Sequence, residues 1–173
     1  MLDDSELMVS LTYHEQTYNK STHDLRVMLL CSKASILEVC GWIEQAMDLV
    51  VMESAQRCTL SQARIAHVES NYIGKTSGFS YQHHFEKMVI AVVGYRMLEQ
   101  AETQAGAAIP AMEGALTYLT KLRNYYAHTH FNMGKPFPKN MTGIPAPTAT
   151  RGYAQTAIAG LTALEQGLIS LGC

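Results

Sequence analysis

From about Thr22 to Arg57 the chain carries apolar side chains in three- and four-residue steps, with no proline to interrupt them. The series is Leu25, Met28, Leu29, Ala34, Leu37, Val39, Cys40, Ile43, Met47, Val50 and Val51. That is the period of an α-helix, and apolar residues cover much of its circumference, so this helix must be central and wrapped by others. At about 1.5 Å per residue its 36 or so residues would span on the order of 54 Å. This is long for a chain of 173 residues, so a bend is expected near Gly41. A chain built around such a rod, with no strand-like alternation elsewhere, is predicted to be all-α: an up-and-down bundle of four to five main helices in one domain, residues 1–173.

The other helices follow from the same pattern. Residues 1–21 form either a short helix over 4–19 or a flexible arm, with Thr12 and Glu15 at capping-box spacing. Thr59-Leu60-Ser61-Gln62 reads as a second capping box opening a helix to about Ser70. Residues 71–80, with Gly74 and Gly78, read as a loop. A helix is expected over Tyr81–Gln104, with Gly94 either admitting a neighbour or weakening it. Ala105-Gly106-Ala107-Ala108 is a turn. Ile109, Met112, Leu116, Leu119, Leu122 and Tyr126 then give one apolar stripe, with Pro110 in the first turn. Residues 132–150 hold Pro136, Pro138, Pro145 and Pro147 and are predicted to be irregular. The last helix is placed at about Gly152–Leu171.

Hydrophobic residues make up 47% of the chain, enough for a core, and the net charge is only −2, so no overall basic field points to nucleic acid. The charge is unevenly placed, however. Between Gly114 and Leu164 lie Lys121, Arg123, Lys135, Lys139 and Arg151 and no acidic residue. That asymmetry fits an anionic partner there, or carboxylates supplied by the acidic remainder. Cys31, Cys40, Cys58 and Cys173 show neither metal-knuckle nor redox-pair spacing, and three of them sit among apolar helical residues as small core side chains. His83 and His84 are adjacent and would point about 100° apart on a helix, so they cannot clamp one metal from one face. No metal or cofactor is expected. The acidic start lacks a signal-peptide pattern and no run of about 18 uncharged apolar residues occurs. A soluble protein in the reducing cytoplasm, not bound to membrane, is the expectation.

The residues that carry chemistry sit at the end of the stripe 109–126. With Leu116 at zero, the apolar arc runs from about 240° through about 300° to about 20°. Arg123 falls at about 340°, inside that arc. A guanidinium there needs a carboxylate partner or a cleft that receives an anion. Glu44 is the nominated carboxylate; a solvated Glu44 is the alternative. Thr117, Lys121, Asn124 and His128 share a polar face between about 80° and 140°.

Arg123, Asn124 and His128, with four residues between arginine and histidine near the end of a bundle helix, resemble the signature of the HEPN superfamily. The resemblance implies a metal-independent endoribonuclease of toxin or antiviral-defence type. It also implies a homodimer in which two motifs meet across a two-fold axis, and an antitoxin or defence-system partner protein. Histidine suits proton transfer from the ribose 2′-hydroxyl and to the departing 5′-oxygen, and arginine suits the phosphate. Asn124 would orient His128, one turn away, or bind a phosphate oxygen. Lys121, Tyr125, His130, Lys135 and Lys139 are the candidate RNA contacts. The superfamily's modified-tyrosine branch has tyrosine where this chain has His130. The alternatives are a non-catalytic module that binds nucleotide, RNA or partner proteins, and a helical interaction protein in which Arg123 and His128 only hold the fold.

Overall fold

The computed structural model describes residues 2–127 and 143–173. Among these residues the secondary structure is entirely helical, an all-α bundle. Seven α-helices follow one another: α1 (Ser5–Lys20), α2 (Leu25–Arg57), α3 (Gln62–Val68), α4 (Glu86–Val93), α5 (Tyr95–Ala105), α6 (Ala108–Ala127) and α7 (Pro147–Ser170).

The central rod is α2. It begins at Leu25 rather than at Thr22 because the Asp24 carboxylate accepts from the backbone N–H groups of Arg26 (3.0 Å) and Val27 (3.1 Å). From there it runs without a break through Gly41 to Arg57. It packs against α1, α4, α6 and α7, which is why Ile36, Val39, Ile43, Val50 and Val51 are fully enclosed. Leu11 of α1 and Leu161 and Leu164 of α7 complete one continuous core with them. All six apolar residues of the stripe on α6 are buried in that core.

Several local expectations are corrected. Thr12 and Glu15 lie inside an unbroken α1 and do not cap a restart. They hold α7 instead: Arg151 donates to Glu15 Oε1 (2.7 Å) and Oε2 (3.0 Å) and to Thr12 Oγ1 (2.8 Å). Ser61 precedes α3 without a side-chain cap, so the second capping box does not form. α3 then passes into a π-helical turn, Glu69–Ile73, before the loop. A second such turn, Tyr81–Phe85, leads into α4.

Gly94 splits the helix expected over Tyr81–Gln104. Its φ of +79° is open to glycine and strained for other residues. A Cβ there would touch nothing within 4 Å, so Gly94 supplies a bend and not a close approach. Close approach occurs on α7, where Gly160 faces Met112 and Gly167 faces Ala101. α7 itself starts five residues before the expected Gly152. Pro147 stands in its first turn, where a missing N–H costs nothing.

The cysteines also depart from expectation. Cys31 and Cys40 are buried free thiols, but Cys58 and Cys173 form a disulfide across a Cα–Cα distance of 4.7 Å. Such bridges persist mainly in oxidising surroundings. Among the described residues no helix is long and apolar enough to cross a membrane.

Candidate functional site

Arg123 lies one turn before the end of α6, on the side facing α2. Its Nη2 stands 3.1 Å from Glu44 Oε1 and donates to Oε2 at 3.4 Å. The carboxylate that meets the guanidinium is therefore the one nominated from the sequence. The guanidinium carbon lies 5.8 Å from the centroid of the Phe79 ring, close enough for a cation–π contact. The pair is neither sealed nor free: the Arg123 side chain is 33% exposed and that of Glu44 28%. An arginine has five N–H donors. One carboxylate at this geometry leaves several of them for a second anion arriving from solvent.

The carboxylate side of the pair is crowded. Asp48 lies one turn along α2 from Glu44. Burial, and then the Glu44 charge, hold its carboxyl above the usual range. A raised folded-state pKa means that the folded form holds the proton more tightly than the unfolded one. Asp48 therefore costs stability as pH rises from its ordinary value of 3.8 through its folded pKa, and the cost persists above. Asp48→Asn is expected to raise the melting temperature at pH 7 and to lose that advantage near pH 3, measured by thermal melts across pH.

Cys40 lies one turn before Glu44 on α2. Burial pushes its thiol up to about 12, although Arg123 pulls the other way. It stays protonated at neutral pH and is not a nucleophile. Tyr126 is enclosed, and burial raises its phenol to about 12. Tyr125 is half-buried and meets Tyr126 edge-on, with centroids 4.8 Å apart.

Of the remaining candidates, Asn124 and Lys121 are exposed on α6. His128, His130, Lys135 and Lys139 lie outside the described residues. Within the acid-free stretch, Arg151 is held by Glu15 and Arg123 by Glu44. Carboxylates from α1 and α2 thus answer two of its five cations. Among the described cations of that stretch, Lys121 is the one with no ion pair.

Lys121 also lines a cleft that sequence reasoning missed. A space of about 410 Å³ lies between the turn Tyr81–Phe85 and the polar face of α6, bounded by His83, His84, Glu113, Thr117, Thr120 and Lys121 among others. Sequence spacing raises His83 and His84 only as metal ligands. Among the described residues no three His, Cys, Asp or Glu side chains converge on a metal position. The available signal was the shared helical face of Thr117 and Lys121, two of the residues that form the α6 wall. Comparisons with protein-family models, with curated proteins and with solved structures find no match to this chain.

Proposed function

We propose that this chain is a HEPN-type, metal-independent endoribonuclease of toxin or antiviral-defence type, acting as a homodimer. Support comes from one observation above all: Arg123 is braced by Glu44 on its inner side and remains one-third open to solvent. A guanidinium so held is pre-oriented, and its free donors suit two oxygens of a phosphodiester. Asn124 and His128 share the polar face of the sequence pattern, about 100° and about 140° around the helix from Arg123, so a second copy is needed to bring a histidine to the guanidinium. In the proposed reaction His128 of one copy takes the proton of a ribose 2′-hydroxyl, whose oxygen attacks phosphorus. The bond to the 5′-oxygen breaks, and that oxygen takes a proton from the second copy's histidine. The products are a cyclic phosphate and a free 5′-hydroxyl. Lys121, Tyr125, His130, Lys135 and Lys139 would hold the strand, and a partner antitoxin or defence protein would control it.

Labelled RNA incubated with chelator tests this reading. Cleavage that survives chelator and disappears in His128→Ala supports it. Equal cleavage by wild type and variant counts against it. Sedimentation supplies the second arm, because a strict monomer cannot assemble a shared site.

A second reading is favoured by the same ion pair. If Glu44 is the sole purpose of Arg123, the chain is a helical interaction protein in which Arg123 only holds the fold. Arg123→Ala and Glu44→Ala separate the two. For a pair one-third exposed, each is expected to cost about 1–2 kcal/mol in denaturant unfolding. A site role adds a second effect: at temperatures where both variants stay folded, Arg123→Ala loses RNA binding and Glu44→Ala retains most of it.

A further inference from the structure

We infer that the cleft between the turn Tyr81–Phe85 and α6 binds a phosphorylated sugar, either free or as a nucleoside monophosphate. The inference needs neither RNA cleavage nor His128, although it shares Lys121 with that reading. It rests on three features that converge on one space.

The first is a preset imidazole. The Ser80 backbone N–H donates to His84 Nδ1 at 3.2 Å. Neutral His84 then carries its proton on Nε2 and acts there as a donor. Gly78 also packs against the ring edge, since a Cβ on it would come within 2.8 Å of His84 Cε1. Glycine at 78 is what lets the ring sit there.

The second is a hydroxyl without a partner. Thr120, on the cleft wall, has a buried Oγ1 that makes no hydrogen bond. Buried hydroxyls are nearly always satisfied, so this one gains a partner if Thr120 turns about its Cα–Cβ bond toward a ligand in the cleft.

The third is the charge layout. Lys121 stands at one end of the α6 wall with no ion pair among the described residues, and Glu113 stands at the other. Eight residues of helix separate them, about 12 Å. Lys121 and His84 suit a phosphate, and Thr120 can add a hydrogen bond. Glu113 repels a second anion but accepts from hydroxyl groups. A bare phosphate leaves Glu113 unused, and a plain sugar leaves Lys121 unused. The volume of about 410 Å³ falls within the range of small-molecule sites. His83 is exposed at the rim.

Titration calorimetry on the full chain tests the assignment, with ribose 5-phosphate, adenosine monophosphate, inorganic phosphate and ribose as probes. Saturable binding of ribose 5-phosphate is expected, with inorganic phosphate and ribose each at least about tenfold weaker. Tighter binding of the nucleotide would assign the site to nucleoside monophosphates, and equal binding to sugar phosphates. Lys121→Ala should weaken phosphate-bearing probes about tenfold or more. Glu113→Gln should weaken ribose 5-phosphate and leave inorganic phosphate unchanged. Thr120→Val should weaken binding without lowering the melting temperature, a combination that a structural hydroxyl would not give. Absence of saturable binding by both phosphate esters overturns the assignment. So does binding that is indifferent to Lys121→Ala and Thr120→Val in proteins of unaltered melting temperature.

Discussion

Loss of the Cys58–Cys173 disulfide is expected to lower the unfolding free energy by about 3–5 kcal/mol. The two cysteines are separated by 115 positions, so the bridge closes nearly two-thirds of the chain into a loop. A cross-link of that span removes much of the conformational freedom of the unfolded chain. On the folded side it joins the residue capping α2 to Cys173, three residues past the end of α7. Arg57 secures the same corner: its Nε donates to the Cys173 carbonyl at 2.6 Å and its Nη1 meets Glu53 at 2.8 Å. Glu165, 2% exposed, lies 3.9 Å from the same guanidinium. These contacts should keep the helices in place after the bond is cut. Cys58→Ser with Cys173→Ser should therefore retain the helical circular dichroism of the wild type and melt about 10 °C lower. Adding reductant to the wild type should produce the same shift, and adding it to the double variant should do nothing. Identical midpoints with and without reductant, together with four alkylatable thiols in unreduced protein, would contradict the bridge.

The bridge also marks where sequence reading stopped. The spacing of Cys58 and Cys173 holds no information about their meeting, because they are brought together only when α7 returns along α2. Gly94 is a related case. A glycine inside an apolar helical pattern reads as a weak point, and only the backbone shows a complete break at φ +79°. Proline density reads as irregularity and sets the start of α7 too late, although a proline in the first turn opens a helix.

What was legible is what depends on local period and on the cost of burying charge. Ile109, Met112, Leu116, Leu119, Leu122 and Tyr126 share one face of a helix by arithmetic alone, and all are enclosed. Arg123 falls on that same face, so either a carboxylate or an anion-receiving cleft was required, and Glu44 is there. The cleft was not legible, because its two walls are about 30 residues apart in sequence and nothing local tells the turn Tyr81–Phe85 to face Lys121. The charge asymmetry was visible but ambiguous. Arg151 looked like part of a basic surface, and Glu15 of α1 takes it.

Gly160→Val is expected to cost about 3 kcal/mol or more and to loosen the seat of α6. Gly160 is buried where α7 crosses α6. A Cβ there would overlap the Met112 Cβ, and would lie 2.9 Å from Met112 Sδ and 3.0 Å from the Ala108 carbonyl oxygen. Met112 is itself fully enclosed, so its first side-chain carbon has nowhere to move. Two effects oppose each other. Replacing a helical glycine with alanine gains about 1 kcal/mol of helix propensity. Overpacking a tight core costs about 1–3 kcal/mol and more for a branched side chain. At Gly160 the overlap involves backbone and Cβ atoms rather than a flexible tip, so the steric cost wins even for Gly160→Ala. Gly152, in the same helix, is the control. A Cβ there meets nothing within 4 Å, so Gly152→Ala should stabilise by about 0.5–1 kcal/mol. Opposite signs for the two alanine variants in denaturant unfolding would show that contact with α6, and not propensity, fixes the glycine at 160. Because α6 carries Arg123, Lys121 and one wall of the cleft, Gly160→Val should also weaken whatever those residues bind, at temperatures where the variant is still folded.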